Sequence, residues 1–211
     1  VYLDFSKAFD SISHNKLLHK LSSYGFKYEL WNWIKCFLEN REQCVSVDRC
    51  RSKNSPVSSG VIQGSQIGPL LFIIFVNDVM DLVEKPAICK LFADDVKLYS
   101  KIEYSFPNPI TSTLEKIQEW SKRWQMKVNP IKSSTMKLGR FKTEVAYRIN
   151  DVVIPEVQSV KDLGLTYDAD LKFDDYISNI TRRAYQRIGL IFRGFISRNT
   201  ELLKRARSEE H

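Results

Sequence analysis

Three aspartates offer the clearest chemistry in this sequence. Asp94 and Asp95 stand side by side in LFADDVKLYS (91–100), between two segments that read as strands, and Asp4 follows the apolar run VYL at the start of the chain. Adjacent aspartates are ordinary turn residues, and a hairpin tip in water tolerates two of them. For the decapeptide alone that structural reading is sufficient. The chemical reading needs the first strand to lie beside the hairpin, so that carboxylates from distant segments converge. Such a concentration of like charge is costly unless cations occupy it. Hard cations with oxygen ligands fit, with Mg²⁺ the first choice. Two ions about 3.5–4 Å apart support in-line phosphoryl transfer, an arrangement shared by polymerases and nucleases.

The elements that must position these residues follow from patterning. Val1–Leu3 reads as a strand ending at Asp4-Phe5. Ser13 can cap a helix with Leu17, Leu18, Leu21 and Tyr24 on one face, stopped by Gly25. A second helical pattern carries Leu30, Trp33, Ile34, Phe37 and Leu38. A short strand over 43–47 and a polar loop or hairpin lead to Gly60. Pro69 suits the first turn of an apolar helix running to about Val83, read as a buried core helix. Residues 87–100 form a hairpin with the two aspartates at its tip, and Leu114, Ile117, Trp120 and Trp124 mark another helix. Short strands are expected at Met136–Gly139, Val145–Ile149, Val152–Ile154 and Leu163–Tyr167. From about Phe173 to Arg207 the pattern is helical and basic, interrupted near Gly194 and Ser197.

Composition narrows the class. A 43% hydrophobic content supports a real core, and 32 Lys plus Arg against 25 Asp plus Glu give a net charge of +7, which suits a polyanionic partner. Cys36, Cys44, Cys50 and Cys89 form no C-x-x-C pair, and His14, His19 and His211 are not spaced around them as zinc ligands. Reduced, structural thiols in an intracellular protein are expected. The run LLFIIFV (70–76) is far short of the ~20 residues of a membrane helix. The chain opens inside an apolar run, with no leader segment, and reads as part of something longer.

Set in order, VYLDFSKAFDSISHNKLL (1–18), GVIQGSQIGPLLFIIFVNDV (60–79) and LFADDVKLYS (91–100) resemble motifs A, B and C of reverse transcriptases, in the form found in non-LTR, LINE-type retrotransposons of the jockey-like group. WQMKVNPIKSSTMKLG (124–139) is similar to motif D and VKDLGLTYDADLKF (160–173) to motif E. The resemblance implies an α+β polymerase palm, an antiparallel sheet packed on helices, over residues 1–171. A mainly helical, truncated thumb-like region follows over 172–211, with the fingers missing. It further implies an RNA-directed DNA polymerase core that transfers dNTPs to a DNA 3′ end on an RNA template with two Mg²⁺ ions, Mn²⁺ being an acceptable substitute.

By the same resemblance Asp4, Asp94 and Asp95 are metal ligands and catalytic residues, with the carbonyl of Phe5 as a further ligand. Phe9 stands where an aromatic ring excludes a ribose 2′-hydroxyl. Gln63 and Gly64 lie against the incoming nucleotide, Ile62 replacing the proline of many relatives. Lys132 matches the lysine proposed to protonate pyrophosphate. Asp10, in the A-F-D signature, is expected to support local structure more than to bind metal. Gly164 matches a turn gripping the primer end, and Arg182, Arg183 and Arg187 belong to a basic helix contacting nucleic-acid phosphates. The implied partners are template, primer, dNTPs, the element's own RNA, and the fingers and endonuclease regions of a parent polyprotein, with no membrane. The implied setting is a ribonucleoprotein of nucleus and cytoplasm. The alternative is an inactive relic or domesticated nucleic-acid-binding fragment.

Overall fold

The computed structural model describes residues 1–101, 108–139 and 145–194. The chain divides into two compact units, Val1–Thr135 with Phe141–Glu156, and Met136–Arg140 with Val157–His211.

In the first unit the chain runs β1 (Tyr2–Phe5), a single turn α1 (Ala8–Ser11), α2 (His14–Ser23), α3 (Tyr28–Leu38), the paired short strands β2 (Glu42–Gln43) with β5 (Ser55–Pro56) and β3 (Ser46–Val47) with β4 (Cys50–Arg51), α4 (Ile67–Val76) and a 3-10 stretch (Asn77–Leu82). Then come β6 (Ile88–Phe92), β7 (Asp95–Tyr99), α5 (Pro109–Trp124), β8 (Val128–Ser134), β9 (Arg148–Ile149) and β10 (Val152–Val153). Four strands make one antiparallel sheet in the order β6-β7-β1-β8. The alternation of β1 and β7 explains which face is covered: Leu3, Phe5, Val96 and Leu98 are buried, while Tyr2, Asp4, Asp95 and Lys97 are not.

Helices cover the apolar face. Leu17, Leu18 and Leu21 of α2 and Leu71, Phe72, Phe75 and Val76 of α4 are buried together with Leu114, Ile117 and Trp120 of α5. Asn108 caps α5 by accepting from the Ile110 amide, with Pro109 in its first turn, and Gln125 closes the helix in the left-handed region. Three expectations change here. Tyr24 is exposed rather than on the buried face of α2. Ser13 occupies the cap position of that helix without a side-chain cap bond. Leu70 and Ile73 are exposed, so α4 is a one-sided helix rather than one buried all round, and it gives way to the 3-10 stretch after Val76.

A larger correction concerns the strand expected at Met136–Gly139. The strand is β8, eight residues earlier at its start, across Asn129-Pro130, a pair that reads as a turn. Proline is tolerated because β8 is an edge strand and bulges there: Tyr2 pairs with Ser134 but Asp4 pairs with Asn129.

Lys20 is 2% exposed, a feature that the sequence pattern conceals. Its ammonium donates to the Phe75 carbonyl at 2.5 Å and to Asp78 Oδ1 at 2.7 Å, and lies 4.0 Å from the Trp124 ring centroid. Asp78 also accepts from the Trp120 indole at 3.0 Å. One buried cation thus ties α2 to α4, the 3-10 stretch and α5. Burial pulls its pKa down, and Asp78 opposes that.

The second unit holds a hairpin, β11 (Ser159–Asp162) with β12 (Leu165–Asp168), and the helix α6 (Asp174–Gly194). β11 was not expected from the pattern. Leu163 and Gly164 both take positive φ, 47° and 85°, as a two-residue turn between twisted strands requires. None of α6 is fully buried. Its expected continuation to Arg207, and the break near Ser197, lie outside the described residues. No helix among the described residues is long and apolar enough to cross a membrane. All four cysteines are free, and only Cys89 is buried.

Candidate active site

Register brings the aspartates to one end of the sheet. Leu3 pairs with Val96, so Asp4, which follows Leu3, and Asp95, which precedes Val96, lie toward the same end of the sheet. Phe92 pairs with Asp95, so the hairpin loop is Ala93 and Asp94 rather than the two aspartates expected at its tip, and Asp95 opens β7. Ala93 has φ 52°, a conformation that costs an L-residue roughly 1–2 kcal/mol; the tight connection that presents Asp94 and Asp95 is therefore a strained one. Asp94 is half-buried and Asp95 exposed.

Asp4 is electrostatically uncomfortable. Its Oδ1 is buried without a hydrogen-bond partner. Burial holds its carboxyl above the ordinary value of 3.8, Lys132 pulls it back, and the like charge of Asp94 pushes it up again. Asp4 and Asp94 therefore sense one another. Among the described residues no three His, Cys, Asp or Glu side chains stand close enough together to hold an ion as they are.

The β8 bulge supplies the nearby cation. Asn129 Oδ1 accepts from the amides of Ile131 at 3.1 Å and Lys132 at 3.3 Å, an Asx arrangement at the bulge. Ser133 Oγ donates to the Asn129 carbonyl at 2.7 Å and accepts from the Asp4 amide at 3.1 Å. The bulge is thus pinned to the aspartate strand, with Lys132 exposed at its tip. Asn129 and Ser133 were missed by sequence reasoning; an Asn three residues before a singled-out Lys is the signal that could have found them.

A second set of contacts fastens the α1 turn to the loop at 59–63. The Val61 amide donates to the Phe9 carbonyl at 2.8 Å, the Gly60 amide to the Ile12 carbonyl at 2.7 Å, and Ser59 Oγ to the Asp10 carbonyl at 2.9 Å. His14 Nε2 donates to the Gly60 carbonyl at 2.8 Å. Gly60 has φ 88°, and a Cβ there would lie 2.8 Å from Asp10 Cα, so only glycine fits. His14 and Gly60 were not singled out as site residues. Phe9 is half-buried and stacks on Phe72 with ring centroids 4.2 Å apart. Gln63 Nε2 donates to Asp10 Oδ1 at 2.8 Å, and Gly64 follows at φ 79°. The Ile62 carbonyl accepts from Ser65 Oγ at 2.6 Å, which fastens the loop. Lys7, Asp10, Arg41, Ser59, Gly60 and Gln63 are among the residues lining a cleft of about 700 Å³.

Asp4, Phe5, Phe9, Gln63, Gly64, Asp94, Asp95 and Lys132 all belong to the first unit, whereas Gly164, Arg182, Arg183 and Arg187 belong to the second. The three arginines are exposed on α6, where Arg182 donates to Asn179 at 2.8 Å.

A mixed α/β domain with an antiparallel sheet, three aspartates at one sheet end and a pinned lysine beside them is consistent with a nucleotide-polymerising domain. The family model for reverse transcriptase (RNA-dependent DNA polymerase) matches residues 1–167, and the chain belongs to that family. Its relatives are the enzymes of non-LTR retrotransposons. It is 31% identical over 188 residues to the RNA-directed DNA polymerase from mobile element jockey of Drosophila melanogaster, covering 85% of this chain and 20% of that protein. The jockey enzyme of Drosophila funebris is 29% identical, over 89% of this chain and 21% of its own length. The probable RNA-directed DNA polymerase from transposon BS of Drosophila melanogaster is 29% identical, over 98% of this chain and 24% of its own length. The chain therefore spans about a fifth to a quarter of these relatives.

Proposed function

We propose that this chain is the catalytic core of a non-LTR retrotransposon reverse transcriptase, extending a DNA 3′ end with dNTPs on an RNA template. The observation that carries the reading is Asp4: a buried carboxylate oxygen without a partner, facing the like charge of Asp94 at the end of the sheet. A protein retains such an arrangement at a functional site more readily than for stability. The donor set is hard oxygen and suits divalent metal in its chemistry: drawn closer together, Asp4, Asp94 and Asp95, with the Phe5 carbonyl, would hold Mg²⁺. The ions would activate the 3′-hydroxyl and stabilise the departing phosphate oxygen.

The chain's own residues do the rest. Lys132 lowers the negative potential at Asp4 and would serve a departing pyrophosphate as proton donor or counter-charge. Phe9, braced by Phe72, presents a rigid ring against the sugar and leaves no volume for a 2′-oxygen. Gln63 and Gly64 offer an amide and an open backbone to the nucleotide. Residues 1–171 act as palm, and the arginines of the thumb-like region from 172 onward hold template–primer phosphates.

The test is primer extension on poly(rA) beside binding of an RNA–DNA hybrid, in the intact polypeptide that contains this chain. Asp94→Asn is expected to lower extension at least a hundredfold, ~3 kcal/mol of transition-state stabilisation. Hybrid binding should be retained and weaken with salt. Near-normal extension by the variant sinks the reading.

A further inference from the structure

The contact between Asp10 and Gln63 joins the segment that carries Asp4 to the loop assigned to the nucleotide. The two residues are 53 apart in sequence, yet Gln63 Nε2 lies 2.8 Å from Asp10 Oδ1. Three backbone-directed bonds bring them together from both sides: Ser59 Oγ to the Asp10 carbonyl, the Val61 amide to Phe9, and the Gly60 amide to Ile12. The absent Cβ of Gly60 lets the loop press on Asp10 Cα. Both side chains are exposed, and the backbone bonds beside them bring the two to one place.

A glutamine amide has two faces that differ chemically, and nothing in its shape distinguishes them. An ionised carboxylate does, because it only accepts. With Asp10 as neighbour, Nε2 must face it, and Oε1 with the second N–H is left for another partner. The cleft at this point is also lined by Lys7 and Arg41, so a phosphate-bearing ligand is compatible with it.

We propose that Asp10 is a positioning residue that fixes the amide orientation of Gln63 toward the incoming nucleotide, and that it acts through Gln63 rather than through metal. This deepens the polymerase reading and rests on it. Asp10→Asn is the sharp perturbation. It keeps size and shape, but an asparagine can either donate or accept, so the Gln63 amide becomes free to flip.

Two measurements decide it. In the intact polypeptide, Asp10→Asn is expected to raise the KM for dNTP about tenfold with kcat within about twofold, because a charge-assisted bond that orients the ground state is lost. The same change added to Gln63→Met should have no further effect, and the Mg²⁺ concentration for half-maximal rate should not move. Additive losses across the two sites, or a raised Mg²⁺ requirement, overturn the proposal while leaving the polymerase reading intact. The second measurement does not use activity. The Gln63 side-chain amide signals in a ¹⁵N correlation spectrum of the chain, assigned by their loss in Gln63→Ala, should show one shifted, exchange-protected proton that returns to free-amide behaviour in Asp10→Asn. Signals identical in the two proteins overturn the proposal. A polypeptide that synthesises no DNA refutes the polymerase reading and leaves the spectrum to decide the Asp10–Gln63 contact.

Discussion

Replacing Asp4 with asparagine should make the protein more stable as it makes it inactive. The side chain has one oxygen buried and unpaired, and its carboxyl is held above 3.8 first by burial and then by Asp94, against the pull of Lys132. Asparagine leaves a polar atom at the orphaned position, so what the change relieves is the penalty of burying the charge, roughly 1–3 kcal/mol. Asp4 is only half-buried, so water screens part of that and about 1 kcal/mol is the working figure. Asparagine removes the charge, and about 1 kcal/mol is worth roughly 2–4 °C in a domain of this size. The sign with pH follows from the raised pKa. The folded state holds this proton more tightly than the unfolded chain does, so the contribution to stability is fully present below 3.8 and is lost as the pH rises through the raised folded value. The variant should lack that loss. Mg²⁺ should reverse the order: a ligand at ten times its Kd adds about 1.4 kcal/mol to the state that binds it, and only the wild type should gain it in full. Thermal melts of both proteins in EDTA and in Mg²⁺, from pH 4 to 8, measure all of this. A variant that melts below the wild type in EDTA, or an equal Mg²⁺ shift in both proteins, would refute the reasoning.

Two further perturbations probe other parts of the first unit. Phe9→Val removes the ring stacked on Phe72, and the space it leaves should admit ribonucleotides; an unchanged preference between dGTP and rGTP in primer extension would return Phe9 to a purely structural role. Lys20→Met should destabilise by about 3–5 kcal/mol, since Asp78 loses its charged partner inside the helical layer; a chemical-denaturation midpoint within error of the wild type would show that the aromatic rings around Lys20, not its charge, hold α2 in place.

The candidate site residues were legible as residue types at fixed spacings. Asp4, Asp94, Asp95, Phe9, Gln63 and Lys132 sit in local motifs, and the hairpin that carries Asp94 and Asp95 follows from alternation and a two-residue turn, which short-range forces decide. The sheet as a whole was less legible. β8 crosses Asn129-Pro130, whose local preference is a turn, and it becomes a strand because β1 offers it hydrogen bonds while the bulge removes the conflict with proline. Lys20 shows the same limit: on α2 it reads as solvated charge, and only the approach of Phe75, Asp78, Trp120 and Trp124 from other segments makes burying it tolerable. What the sequence alone determined is which groups are available, because that depends on covalent identity and on neighbours along the chain. The raised pKa of Asp4, its orphaned oxygen and the bond from Gln63 to Asp10 were decided by tertiary structure. Each depends on distances between residues far apart in the chain, and desolvation and Coulomb energy are set by those distances and by burial, neither of which a linear pattern contains.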